Sequence, residues 1–208
     1  MTQAKAAADL PGQASEEDVL RAQQYGLLSR LLASAPDQGL LAALGQLQGD
    51  DSELGRAYGA LADAARKADA ETVAQEYFAL FVGVGRGELL PYASFYLTGF
   101  LNERPLADLR GDLGALGLTR SADRFEPEDH IATLFEVMEG LALRQIDGAA
   151  LGCGAQAEAG FFARHVAPWA TMFFDDLGRA PSADFYRHVA AIGRAFMAIE
   201  TRAFSLAR

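Results

Sequence analysis

Residues 126–130 read Glu126-Pro127-Glu128-Asp129-His130, three carboxylates and an imidazole in five positions, directly ahead of the apolar run Ile131-Ala132-Thr133-Leu134-Phe135. Carboxylates at this density hold a metal, move a proton or pair with a cationic ligand. A di-iron site in a helical bundle needs Glu three positions before His. Here those positions are Pro127, Phe162 and Phe185, ahead of His130, His165 and His188. No His-Glu-x-x-His run occurs, so no metal and no cofactor are expected, and His165 and His188 are read as packing or surface residues. The run Gly83-Val84-Gly85-Arg86-Gly87-Glu88 lacks the Gly-Lys-Ser/Thr ending and the preceding strand of a phosphate loop, and is read as loop glycines. No Gly-x-Ser-x-Gly elbow is present, and Cys153 sits in Leu151-Gly152-Cys153-Gly154 without an evident histidine partner. No catalytic residue is assigned. Recognition of a cation is the chemistry left for residues 126–130.

Twenty-eight acidic against 18 basic residues give a formal charge of −10, a field that repels phosphate backbones and anionic membranes. Nucleic acid is excluded as an expected partner, and a basic peptide is favoured. Cys153 is the single cysteine, so an internal disulfide is impossible and a reducing compartment is implied. The start MTQAKAAADLPGQAS has one lysine and no apolar core, unlike a secretory signal. No stretch approaches the roughly 18 apolar residues of a membrane span. The expected location is the cytoplasm, with no stable membrane insertion.

The elements that must position these residues are helical. From Ser15 to Pro36, Leu20, Gln24, Leu27, Leu28, Leu31 and Ala35 recur at helical spacing and are expected to form one buried stripe, with Ser15 as N-cap and Asp18 at its N3 position. Further helices are expected at about 38–48, 52–68, 72–81, 94–103 and 105–114, with a loop over 82–94. Three longer helices follow at about 127–146, 155–179 and 183–206, the second kinked near Val166 by Pro168. With no repeat and no alternating strand pattern, the fold class is an all-α, single-domain bundle of about nine to eleven helices. Residues 1–14 are expected to be frayed, 15–113 to form an N-terminal half, 114–126 a linker and 127–208 a C-terminal half.

Locally, Pro127 suits position N1 of the helix after it, with Glu128 and Asp129 at N2 and N3, where the helix dipole favours negative charge. Asp129 is then expected to point away from the buried stripe Ile131, Leu134, Phe135, Met138 and Leu141. His130 does not fit this account. The dipole disfavours its charged form, the adjacent carboxylates favour it, and the protonation state stays open.

These residues also carry a resemblance. Residues 126–130 are similar to the Glu-Pro-x-Asp-His signature of the TorD/DmsD group of redox-enzyme maturation chaperones. Upstream, Glu76-Tyr77-Phe78-Ala79-Leu80-Phe81-Val82-Gly83 and Leu90-Pro91-Tyr92-Ala93-Ser94-Phe95-Tyr96 resemble that family's second block, in the family's order. The resemblance spans nearly all of the chain after the first 15 residues. It implies an all-α cytoplasmic protein that is not an enzyme. Such a protein binds the twin-arginine signal peptide and apo form of a molybdoenzyme catalytic subunit, and holds it until cofactor is inserted.

A twin-arginine leader presents two guanidinium groups and then an apolar stretch, so its receptor needs carboxylates beside a hydrophobic groove. The site expected on that basis comprises Glu126, Asp129 and His130 on the basic part and Tyr92, Phe95 and Tyr96 on the apolar part. Ser94 contributes either as a peptide contact or as a helix N-cap, and Pro91 and Pro127 are structural. Ordinary core packing is the competing account of the three aromatic residues. The alternative function is a helical protein–protein adaptor without leader recognition, carrying at most a weak nucleotide site. The oligomeric expectation is a monomer, or a dimer that swaps its C-terminal helices about the linker.

Overall fold

A computed structural model describes residues 14–119, 126–146 and 155–206. Residues 1–13 and 120–125, and with them most of the expected frayed start and part of the expected linker, lie outside the described residues, as does Cys153. The described residues form ten α-helices and no strand: α1 (Glu16–Ala33), α2 (Gln38–Leu44), α3 (Glu53–Lys67), α4 (Ala70–Tyr77), α5 (Ala93–Thr98), α6 (Arg104–Ala115), α7 (Ile131–Ala142), α8 (Ala155–Phe161), α9 (Ala170–Arg179) and α10 (Tyr186–Leu206). None of them is long and apolar enough to cross a membrane.

Side chains start most of these helices. Ser15 and Asp18 form a reciprocal capping box on α1, as the sequence predicts. Asp37, Ser52 and Asp69 cap α2, α3 and α4, each accepting one backbone N–H of the first turn without the reciprocal bond. Two helices end in a single π turn, α4 through Phe78–Val82 and α8 through Phe162–Val166. The second lies where the kink is expected. Pro168 has no amide hydrogen to continue the ladder, Ala167 N–H reaches back to the Phe162 carbonyl at 2.9 Å, and α9 starts afresh after Trp169. α5 is shorter than the sequence predicts, because Gly99 takes φ +84° and closes it after Thr98.

The core runs along α1, α7, α9 and α10, with α1 packed on α7 and α10 packed on both α9 and α3. Tyr25, Phe135, Phe173, Phe174 and Trp169 are essentially inaccessible. Gly193 lets α10 approach α9: a Cβ there would fall 2.2 Å from the Phe174 ring. Ile131, Leu134, Phe135, Met138 and Leu141 are all buried, as the α7 spacing requires.

The α1 stripe holds in its middle and fails at its start: Gln24, Leu28 and Leu31 are buried as expected, together with Ala22, Tyr25, Ser29 and Leu32, while Leu20 is 61% exposed. Ser29 donates to the Ala132 carbonyl of α7 at 2.8 Å, which ties the buried face of α1 to that partner.

The block Glu76 to Phe81 is a structural seam. The Glu76 carboxylate accepts the backbone N–H groups of Asp184, Phe185 and Tyr186 at 2.9, 2.9 and 2.7 Å, seating the start of α10. Tyr77 donates to the Leu32 carbonyl, Leu80 is fully buried, and Phe81 meets Tyr186 edge to face at 5.5 Å. One short segment thereby ties α4 to both α1 and α10.

Candidate functional site

The start of α5 crosses the start of α7 at Tyr92 and His130, an isolated antiparallel bridge between chain segments far apart in sequence. Ala93 N–H donates to the Asp129 carbonyl at 3.0 Å, and Ile131 N–H donates to the Pro91 carbonyl at 2.9 Å. Opposed residues of this non-hydrogen-bonded type bring their side chains close. The Tyr92 and His130 rings meet edge to face at 5.1 Å.

This crossing overturns the expected helix start. Residues 127–130 form a turn, closed by His130 N–H on the Pro127 carbonyl at 3.2 Å, and α7 begins only at Ile131. Pro127 is therefore not at N1. His130 is the N-cap, its Nδ1 accepting from Ala132 N–H at 3.2 Å. A ring nitrogen that accepts carries no proton, so the proton of the neutral ring lies on Nε2, 3.6 Å from Glu126 Oε2.

Asp129 is likewise corrected. It does not point outward from α7; it is fully buried, and its Oδ2 accepts from Ser94 N–H at 2.8 Å inside the first turn of α5. Ser94 is no helix cap, since Tyr92 occupies that position and Asp129 supplies the missing acceptor. Asp129 Oδ1 and Ser94 Oγ, both buried, have no hydrogen-bond partner among the described residues. Asp129 and Ser94 thus build the crossing from beneath.

The accessible groups lie above them. Glu126 is exposed and accepts from the Tyr92 hydroxyl at 2.9 Å. Partial burial, with the Glu126 charge adding to it, pushes the Tyr92 phenol well above its usual value and keeps it a donor. Glu128 accepts both the Nε and Nη2 hydrogens of Arg110 from α6, at 3.0 and 2.8 Å. Phe95 is half-buried, with the Arg86 guanidinium 5.8 Å from its ring centre.

Tyr96 belongs elsewhere. Its ring packs on Trp169 at 5.2 Å and Phe173 at 6.0 Å, and its hydroxyl donates to Asp176 at 3.2 Å, which joins α5 to α9. The expected set therefore divides. Tyr92 and Glu126 make one surface over the buried His130 ring, Asp129, Ser94, Pro91 and Pro127 support it, Phe95 borders it, and Tyr96 packs.

Sequence reasoning missed the apolar surface at the end of α5 and just beyond it, where Leu97, Phe100 and Leu101 are 40%, 70% and 39% exposed. A further groove of about 560 Å³ runs between α5, α6, α7 and the second π turn, lined by Ala93, Leu97, Leu109 and Leu134 with Asp108, Asp112 and His165. Tyr92, Glu126 and Asp129 are not among its lining residues.

With this geometry in place, two comparisons bear on it. Residues 47–175, more than half of the chain, match the family model described as nitrate reductase delta subunit. The chaperone protein TorD of Vibrio cholerae serotype O1 (El Tor Inaba) is 29% identical over 188 residues, covering 88% of this chain and 81% of that protein. The chain belongs to the TorD-like family of chaperones.

The matched region contains both halves of the Tyr92–His130 crossing. TorD of the Classical Ogawa strain of the same species is 31% identical over 129 residues, 60% of this chain and 59% of that protein. TorD of Vibrio atlanticus is 26% identical over 164 residues, 74% of this chain and 76% of that protein. The TorD-like family is one of redox-enzyme maturation chaperones and not of enzymes.

Proposed function

We propose that this protein holds the twin-arginine signal peptide and the apo form of a molybdoenzyme catalytic subunit in the cytoplasm until its cofactor is inserted. The observation that carries the reading is the Tyr92–His130 crossing, which presents the exposed Glu126 carboxylate at the head of α5 while that helix leads to the exposed Leu97, Phe100 and Leu101. Six helical residues span about 9 Å, a separation suited to an arginine pair and the apolar stretch after it. Glu126 supplies an acceptor for guanidinium, Tyr92 and His130 fix its direction, and burial of the apolar stretch supplies most of the affinity.

Calorimetric titration with a synthetic twin-arginine leader and its twin-lysine counterpart tests the reading. The arginine leader is expected to bind more tightly, and Glu126→Gln to weaken it by about tenfold, the worth of one charge-assisted hydrogen bond. Equal response to both peptides, or to neither, sinks leader recognition and leaves the adaptor.

A further inference from the structure

α1, α3, α10 and the loop ahead of α3 enclose a groove of about 650 Å³, walled by Leu20, Leu27, Leu54, Tyr58 and Ile199 and containing Gln24. Leu20 and Ile199, 61% and 47% exposed, stand at its rim. Gln24 is only 5% exposed, and neither its Nε2 nor its Oε1 has a hydrogen-bond partner among the described residues. Burying a carboxamide with both ends unmade is costly, and such a group in a folded protein calls for a partner.

We propose that this groove is a second peptide-binding site, taking an extended apolar segment with a basic flank from a non-native polypeptide. A primary carboxamide sets a donor and an acceptor side by side. In an extended chain the N–H and C=O of one residue point the same way, so Gln24 pairs with both at once. A helical segment has already satisfied those groups internally, and a lipid chain has none. The carboxamide torsion of glutamine is soft, so turning Gln24 into the groove meets little resistance.

Charge sets the flank. Asp50, exposed on the lining, is held below the ordinary carboxylate range by the Ser52 hydroxyl and amide with a smaller part from Arg56, and keeps a negative charge at the rim. Arg21, a cation on the groove wall, is engaged by Glu158 and Glu200 at 2.6 Å each. A lysine or arginine next to the apolar segment therefore meets an attractive edge. This site does not depend on leader recognition at Glu126.

The test uses the full chain, labelled with ¹⁵N, and a synthetic peptide of alternating valine and leucine with a terminal pair of lysines. A second peptide is N-methylated on its central residue, which removes the donor without altering the side chains. The first is expected to shift the Gln24 side-chain amide signals, and the methylated one to bind about tenfold more weakly. Gln24→Met is expected to lower affinity for the first peptide to that of the second while raising the melting temperature, since it deletes the unmade hydrogen bonds. Absence of binding, equal affinity for the two peptides on the unaltered chain, or unchanged affinity of Gln24→Met overturns the proposal. Self-association that occupies the groove, seen as peptide-sensitive dimers, overturns it as well.

Discussion

Asp129 and His130 carry different burdens although they are adjacent. His130, itself buried, caps α7 with Nδ1 and faces the exposed Glu126 with Nε2, so it joins the framework of the crossing to its accessible carboxylate. Asp129 has only the framework role, a buried carboxylate oxygen 2.8 Å from Ser94 N–H. Its two substitutions separate cap from charge. Asp129→Asn keeps an oxygen in place and is expected to fold with a small loss. Asp129→Ala leaves the Ser94 amide without its acceptor and is expected to cost about 1–2 kcal/mol in urea unfolding, with leader affinity falling only as the crossing loosens. A large loss of affinity in Asp129→Asn at unchanged stability contradicts this assignment. The sequence made Asp129 visible as a motif residue but inverted its direction. Counting helical positions from Pro127 turns it outward, and nothing local reveals that Ala93 and Pro91, 36 and 40 residues before their partners, pair with Asp129 and Ile131 and delay the helix.

Elements were legible where local chemistry decides them. The α1 capping box, the α7 stripe and the break at Pro168 all follow from spacing and proline sterics, and all are present. They were illegible where a distant partner decides. Glu76 seats α10 from more than a hundred residues away, and Ser29 ties α1 to α7. The π turns belong to the same group, since one extra residue per turn leaves no mark on hydrophobic periodicity. Glycine substitutions read the packing of these elements directly. Gly193→Ala places a methyl group 2.2 Å from the buried Phe174 ring and is expected to destabilise by about 2 kcal/mol, because neither α9 nor the aromatic core yields easily. Gly59→Ala, inside α3 with nothing within 4 Å, is expected to stabilise by about 0.5–1 kcal/mol through helix propensity alone. Thermal melts of the two variants should move in opposite directions, and a shared direction would mean that the α9–α10 contact is looser than described.

For the whole molecule, acidity governs both partner choice and response to pH. Many of its carboxylates are compensated internally, as where Arg21 and Arg144 gather Asp18, Glu158 and Glu200 between α1, α8 and α10. Asp112 of α6 binds Arg164 and His165 of the second π turn at 2.8 and 2.6 Å. Burial lowers the His165 value below that of a free histidine, and the neighbouring Asp112 offsets this only in part. The unfolded chain therefore takes up a proton near pH 6.5 that the folded chain declines, and stability falls as pH drops through that point toward the folded value. Asp112 is held below the ordinary carboxylate range by His165 and Arg164 against the opposing pull of burial, so its own contribution is intact above about pH 4 and does not vary in this window. Glu158 and Glu139, raised by burial, act with the opposite sign near their own range and are common to wild type and variant. His188 is lowered too, also mainly by burial, so part of the dependence survives without His165. Urea midpoints from pH 7 to pH 5 are expected to decline in the wild type and to decline less in His165→Asn, the difference bounded by about 1.4 kcal/mol per pH unit for one proton. Parallel curves would place the acid sensitivity outside the α6 contact, and a steeper variant would reverse the sign argued for His165.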